Sequence, residues 1–138
     1  MVLTILLVLT VIFWGIAPIF DKIALSNSSP FLGNLSRSIT ITFVLLAITF
    51  LGGKTKEFLQ IDFRSFIYFA LSGIFAGCLG VFTYYKALQI SQTSKIVPLA
   101  ATYPLVTALL SVIFLREQLT FSRILGTLLI IVGIWLVK

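Results

Sequence analysis

The chain has 138 residues, of which 59% are hydrophobic and 10% charged, and its formal net charge is +6. A mean hydropathy of +1.16 excludes a soluble monomer, because water would have to cover a large contiguous apolar surface. Histidine is absent and Cys78 is the only cysteine, which excludes disulfide frameworks, histidine-based metal sites and histidine-assisted nucleophilic catalysis. The sequence therefore predicts one integral membrane domain over residues 1–138 that is not an enzyme and has no cofactor and no metal.

Five apolar runs without a charged side chain organise the domain. A helix rises about 1.5 Å per residue and a bilayer core is about 30 Å thick, so about 20 apolar residues are enough to cross it. We therefore predict an all-α, polytopic membrane protein with five transmembrane helices. The predicted helices cover about residues 2–25, 31–52, 64–88, 95–115 and 120–137. Because five is odd, the two ends of the domain are expected on opposite faces of the membrane.

Local signals predict the connections between these helices. The segment from Ser26 to Pro30 is a turn-forming cluster that closes the first helix. The segment from Lys54 to Arg64 is the most polar of the chain and predicts an interfacial loop, with Asp62 as the N-cap of the third helix. Thr120 is the candidate N-cap of the fifth helix. Since all the connections are short, consecutive helices are expected to be antiparallel neighbours.

The ten basic residues are distributed evenly over the two faces of the membrane. With the N-terminus on one side, that side receives Lys54, Lys56, Arg64, Arg116 and Arg123, and the other side receives Lys22, Arg37, Lys86, Lys95 and Lys138. These charges meet lipid headgroups at the ends of the apolar runs, so they do not indicate a nucleic-acid partner. Without a positive-inside bias the chain is expected to insert in both orientations and to form an antiparallel homodimer, unless the balance is accidental.

Six side chains are candidates for substrate binding. Trp14 lies mid-span, away from the interfacial belt that suits an indole, so it packs between helices or lines a cavity. Lys22, Arg37 and Lys95 fall on one side of the membrane, where they either form a cationic vestibule for a carboxylate or phosphate or extend to the headgroups. Tyr84 and Tyr103 complete the set. The four carboxylates stand at helix ends or in loops, so no proton carrier is predicted mid-membrane.

Glycines and prolines mark candidate packing and gating positions. Gly73 and Gly77 form a small-xxx-small pattern, which is typical of close helix packing. Pro98 and Pro104 each remove an amide donor from the fourth helix, so each produces either a gate or a static kink.

Several landmarks in order along the chain resemble those of a known family. They are Phe13-Trp14-Gly15 and Lys22 in the first helix, Pro30 and Arg37 in the second, Tyr84 and Ala87-Leu88 in the third, Ser94-Lys95 and Tyr103-Pro104 in the fourth, and Glu117-Gln118-Leu119-Thr120, Gly126 and Gly133 around the fifth. With these landmarks the whole chain resembles one EamA unit of the drug/metabolite transporter superfamily, and in particular its short single-unit bacterial members.

The resemblance implies a secondary transporter in the inner membrane of a bacterial or archaeal cell. It implies alternating access by a dimer whose helices 1 to 4 line a cavity and whose helix 5 holds the halves together. The implied substrates are small polar or amphipathic metabolites resembling amino acids. It also implies structural or gating roles for Gly15 and for Glu117, which would order the turn between helices 4 and 5.

Two alternatives remain open from the sequence. The first is a flippase, or transport subunit, for a lipid-linked polar headgroup. The second is a non-transporting membrane subunit of a hetero-oligomer. In every case the expected partners include membrane lipid, and transport adds a small-molecule substrate.

Overall fold

Helices account for all the regular structure in the part of the chain that a computed structural model describes, residues 1–118 and 120–137. The chain begins with α1 (Val2–Leu25), α2 (Pro30–Leu51) and a short α3 (Thr55–Leu59). The third span consists of α4 (Phe63–Ser72), a π-helical segment (Gly73–Gly80) and α5 (Val81–Ile90), followed by α6 (Thr93–Ala100), α7 (Tyr103–Leu115) and α8 (Phe121–Val137). The predicted all-α class is confirmed. Leu119 of the family landmarks and Lys138 of the charge count lie outside the described residues.

Four helical stretches are long and apolar enough to cross a membrane, namely Val2–Leu25, Pro30–Leu51, Phe63–Ile90 and Thr93–Leu115. The fifth apolar segment forms α8, whose 17 residues give about 26 Å of helix, slightly less than the apolar core of a bilayer. The chain is therefore a multi-pass membrane protein with four full-length spans and a shorter apolar helix.

The middle of the third span is a π-helix and not the uninterrupted α-helix expected from the sequence. Over Gly73–Gly80 the backbone forms a wider helix than an α-helix, because the hydrogen bonds of a π-helix join residues five apart. Glycine relieves a close backbone approach at the end of this segment. A Cβ at Gly80 would lie 3.0 Å from the carbonyl oxygen of Phe75, so a larger residue would push against the backbone.

The fourth predicted helix is divided into α6 and α7. Ala101 and Thr102 form a turn between them, and Pro104 occupies the first turn of α7. Proline has no amide proton, and its ring clashes with the carbonyl four residues earlier, so Pro104 favours a break at this position. Pro98 lies inside α6.

Local capping explains where α2 and α4 begin. The Ser29 side chain accepts a hydrogen bond from the Leu32 amide at 3.2 Å, and Pro30 opens α2. Asp62 caps α4 as predicted, since its Oδ2 accepts from the Ser65 amide at 2.9 Å. Hydrogen bonds from the side chain and backbone of Ser65 lower the pKa of Asp62. The connection before it is partly helical, because α3 occupies Thr55–Leu59 within the stretch predicted to be a loop.

Residues 1–90 and the residues from 91 onward form two compact units. In the first unit Leu25, Tyr85 and Leu88 are buried, with exposed fractions of 2%, 2% and 0%. They come from α1 and α5, which pack with α2 to form a three-helix junction. Away from this junction large apolar side chains such as Phe43 and Phe75 are exposed, as expected for surfaces that face lipid or a partner chain.

Candidate functional site

Asp21, Arg37 and Tyr85 form a charged cluster at the three-helix junction, with one residue on each of α1, α2 and α5. The Tyr85 hydroxyl donates to Asp21 Oδ1 at 2.6 Å and accepts from Arg37 Nη1 at 3.2 Å. Arg37 Nη1 lies 3.6 Å from Asp21 Oδ2, so the two charges form an ion pair without a direct hydrogen bond. The Tyr85 hydroxyl thus joins the anion to the cation.

The spacing of the helix residues explains why these side chains meet. Asp21 and Leu25 are one turn apart on α1, and Gly33 and Arg37 are one turn apart on α2, so each pair faces the same side. Gly33 allows α2 to approach the ring of Tyr85, because a Cβ at this position would lie 3.2 Å from Tyr85 Cε2. The glycine therefore places the Tyr85 hydroxyl between the two charges.

Two long polar side chains fasten the ends of α1 and α5 to each other. Lys22 Nζ donates to the carbonyl oxygen of Leu88. Gln89 Nε2 donates to the carbonyl oxygens of Leu25 at 3.1 Å and Ser28 at 3.2 Å. The last carbonyls of a helix have no partner within it, so these contacts satisfy groups that would otherwise need water. Lys22 is therefore part of the support of the charged cluster.

A cleft of about 300 Å³ opens beside the charged cluster, and we name it the charged cleft. It exposes Arg37 more than Asp21, since the side chains are 42% and 16% exposed. A solute in the cleft would therefore meet the guanidinium first. The lining consists of Phe20, Asp21, Ala24, Leu25, Ser28, Leu32, Gly33, Ser36, Arg37 and Tyr85.

A second cleft of about 280 Å³, the Asn34 cleft, lies between α2 and the third span. Asn34 is 9% exposed, and its Nδ2 donates to the carbonyl oxygen of Cys78 at 3.0 Å. This bond ties α2 to the π segment. Apart from Asn34 and Ser38 the lining is mostly apolar and includes Phe31, Leu35, Cys78, Leu79 and Phe82.

The structure brings three of the six substrate-binding candidates together in the first unit. Arg37 belongs to the charged cluster, Lys22 supports it, and half-buried Tyr84 has its ring centre 6.1 Å from that of Tyr85. Trp14 is 66% exposed and lies about 10 Å before Asp21 along α1. The predicted roles of these residues remain predictions.

The other two substrate-binding candidates belong to the second unit. Lys95 is half-buried in the first turn of α6. Tyr103 borders a cleft of about 600 Å³ together with Pro104 and Glu117. Arg116 adopts a left-handed conformation with φ 55°, and the Glu117 amide donates to the Ser111 carbonyl at 3.3 Å, so the backbone of Glu117 helps to end α7.

The glycine candidates border open space within the described chain. Apart from its chain neighbours and the backbone of its own helix, a Cβ built at Gly15, Gly73 or Gly77 would meet no described atom within 4 Å. These surfaces remain available to lipid or to a partner, and the predicted gating roles remain predictions.

Sequence reasoning did not assign Asp21, Tyr85, Asn34 or Gln89 to the site. One signal could have identified Asp21: it is the only acid inside the first span, and an acid within a membrane helix indicates a functional site. Tyr84 and Tyr85 are adjacent, and only the packing shows that Tyr85 is the one that faces the charges. Asn34 and Gln89 carry no signal in the sequence that distinguishes them from other polar residues near helix ends.

Comparison with known proteins shows which family the chain resembles. Residues 2–138 match the EamA-like transporter family. An uncharacterized protein of Methanocaldococcus jannaschii is 30% identical over 130 residues, which cover 94% of this chain and 91% of that protein. A protein of Sinorhizobium sp described as an uncharacterized transporter in the cobO 3' region is 26% identical over 125 residues, covering 91% of this chain and 88% of that protein.

A longer relative matches with about half of its length. An uncharacterized transporter of Archaeoglobus fulgidus is 30% identical over 138 residues, which cover 94% of this chain but 45% of that protein. No solved structure matches the chain. The resemblance seen in the sequence is confirmed, and relatives in archaea and bacteria agree with a multi-pass protein of the cell membrane. The chain belongs to the EamA-like transporter family.

Proposed function

We propose that the chain is a secondary transporter that moves small polar or amphipathic, amino-acid-like metabolites by alternating access as an antiparallel homodimer. The observation that carries this proposal is the charged cluster of Asp21, Arg37 and Tyr85, which lines a cleft between helices whose side chains are mostly apolar. Charged groups within membrane helices are costly and usually serve substrate or ion pathways. A cleft of about 300 Å³ also suits a small metabolite.

Two observations support the homodimer. The chain covers most of two relatives but only 45% of a longer one, so a second copy would supply what the longer relative carries in one chain. The even distribution of ten basic residues gives neither orientation an advantage. Oppositely inserted copies would form an inverted repeat, which gives two equivalent conformations open to opposite sides of the membrane, as alternating access requires.

Fusion of reporters after the last residue tests the dual orientation. One reporter is active only in the cytoplasm and the other only outside, and both should be active at normal expression levels. Lysines added to the exposed Lys54–Arg64 connection should then favour one orientation and depress transport, and a co-expressed copy of opposite bias should restore it. Activity of a single reporter would refute the antiparallel arrangement.

Transport is tested by counterflow in liposomes with each of the common L-amino acids, radiolabelled. Arg37→Gln should abolish counterflow, and Arg37→Lys should reduce it because one ammonium cannot replace a planar fork of donors. Lys86→Gln is the matched control, because Lys86 is exposed on α5 and stacks on the Phe82 ring outside the charged cluster. Absence of counterflow for every solute in a folded dimer would refute the amino-acid-like substrate class.

The break between α6 and α7 supplies a test of the conformational change. Pro104→Ala restores an amide donor and removes the clash with the preceding turn, so α6 and α7 should join and counterflow should slow. Two exchanging signals from a fluorine label at Tyr103 should collapse into one. Undiminished counterflow in Pro104→Ala would remove this break from the mechanism.

The Asn34 cleft favours a second candidate, a flippase for a lipid-linked polar headgroup. Its wall is mostly apolar, with the rings of Phe31 and Phe82 beside the amide of Asn34, which suits an acyl or prenyl chain next to a polar group. A native mass spectrum from nanodiscs distinguishes the candidates. A stoichiometric lipid-linked species would support the flippase, and a stoichiometric second membrane protein would support a hetero-oligomeric subunit.

A further inference from the structure

The ion pair in the charged cluster is open to exchange. Both contacts of Arg37 within the cluster use Nη1, whereas a guanidinium carries five N–H donors in a fork that matches a carboxylate with two bonds. Asp21 Oδ2 lies 3.6 Å from Nη1, beyond hydrogen-bond distance. Asp21 therefore neutralises Arg37 without occupying the geometry that a tightly bound carboxylate would adopt.

The charged cleft gives a solute access to the exposed side of this pair. Arg37 has a side chain that is 42% exposed, and Phe20 and Leu32 supply apolar surface in the same cleft. A solute that carries a carboxylate on a small apolar body matches both features, because its anion would bond the fork of Arg37 and its body would cover the two apolar side chains. A purely hydrophilic anion would leave these side chains unmatched.

A bound carboxylate would place two anions beside the guanidinium of Arg37. Asp21 is faced by Arg37 of α2, by Tyr85 of α5 and, at longer range, by Tyr84 of α5. Lys22 is its neighbour on α1. Two carboxylates that share a partly buried site cannot both stay ionised at low cost, so one of them takes up a proton.

Of the two carboxylates, Asp21 is better suited than the bound solute to receive the proton. Its side chain is only 16% exposed, and Tyr85 can remain bonded to it in either state, because a phenolic hydroxyl both donates and accepts. The proton would come from water in the cleft and return to water when the anion leaves.

We propose that the charged cleft binds a small amphipathic monocarboxylate at Arg37 and that this binding is coupled to the uptake of one proton by Asp21. This inference rests on the proposed function and names the charge class and the coupling ion of that same site. Anion and proton would cross together, and a pH gradient would then drive accumulation of the solute. The coupling is a property of binding, so it is measurable without transport.

The test is calorimetric titration of the full-length protein in detergent with sodium phenylacetate. Buffers of different ionisation heat report the number of protons taken up. Between about pH 5.5 and 7 the probe is ionised. Binding should take up close to one proton per chain where coupling is complete, and the affinity should rise by up to about tenfold for each pH unit lowered. Neutral phenylacetamide, which cannot pair with Arg37, should take up none.

Variants separate the two charges. Asp21→Asn should bind phenylacetate at least as tightly as the parent, with no proton uptake and no dependence on pH. Arg37→Gln should weaken binding by about 10- to 100-fold, the loss expected for a charge-assisted hydrogen bond. The neutral pair Asp21→Asn with Arg37→Gln leaves no buried charge unpaired, so it tests binding if Arg37→Gln alone fails to fold.

Each result decides for or against the proposal. Binding of phenylacetate by the parent without proton uptake, absence of binding, or equal uptake in Asp21→Asn would overturn it. Counterflow in liposomes, measured with phenylacetate as well as with the L-amino acids, decides the proposed function separately. Proton-linked binding without counterflow would retain the site and refute transport, whereas counterflow without proton-linked binding would retain transport and refute this coupling.

Discussion

Replacement of Tyr85 by phenylalanine tests whether the hydroxyl holds the charged cluster together. Tyr85→Phe removes one oxygen from a ring that is 2% exposed and leaves the packing of the ring unchanged. The donor to Asp21 Oδ1 at 2.6 Å and the acceptor for Arg37 Nη1 at 3.2 Å are lost together. The two charges then face each other at 3.6 Å without the group that joins them.

The expected loss follows from these two bonds. A hydrogen bond to a charged group contributes about 1.5 to 3 kcal/mol in soluble proteins, whereas polar contacts between membrane helices average about 0.6 kcal/mol. Asp21 and Arg37 border the charged cleft, where water can replace part of what the hydroxyl supplied. We therefore expect Tyr85→Phe to lower the free energy of unfolding by about 1.5 to 3 kcal/mol for the two bonds together.

Reversible unfolding in mixed detergent micelles measures this loss, and Tyr84→Phe is the matched control. Tyr84 is the adjacent tyrosine, is half-buried, and contributes to neither bond of the cluster, so its change should stay within about 0.5 kcal/mol. In an Asp21→Asn background, Tyr85→Phe should cost less than in the parent. Equal stability of the folded Tyr85→Phe and Tyr84→Phe proteins would refute the joining role of the hydroxyl.

Three further predictions follow from packing and capping. Gly33→Ala should destabilise the unit by about 1 kcal/mol, because the contact of its Cβ at 3.2 Å from the buried, hydrogen-bonded ring of Tyr85 outweighs the gain in helix propensity. Gly15→Ala, whose Cβ meets open space, should be neutral or stabilising in the same unfolding assay. Asn34→Ala should accelerate hydrogen exchange of amides 73–80 by freeing the π segment, and unchanged exchange would contradict a tie at this point. The pKa of Asp62 is lowered in the folded state, so its cap stabilises the start of α4 above the usual carboxyl pKa and loses this effect as the pH falls through the lowered value. The protection of the Ser65 amide, corrected for the intrinsic pH dependence of exchange, should therefore fall in acid, and Asp62→Asn, which keeps an acceptor that does not titrate, should remove this change in protection.

The sequence by itself determined the membrane class, the apolar helical stretches and the Asp62 cap. Apolar length is a local property, and water or lipid acts on each segment separately, so the helices could be predicted without knowledge of their neighbours. Asp62 shows the same for capping, since its partner Ser65 is only three residues away. The family landmarks also lie in sequence order, and this is why the resemblance could be recognised before the fold.

Only the tertiary structure decided which polar side chains meet. Tyr85 is 64 residues from Asp21 and 48 from Arg37, and Asn34 is 44 residues from Cys78, so no local pattern joins them. The charge count grouped Arg37 with the cations Lys22 and Lys95, whereas packing supplied it with an anion and a hydroxyl. The π segment likewise depends on backbone geometry that apolar periodicity does not encode. Helix formation thus depends on residues that are neighbours in the sequence. The charged cluster exists only because α1, α2 and α5 pack closely enough to bring distant side chains into contact.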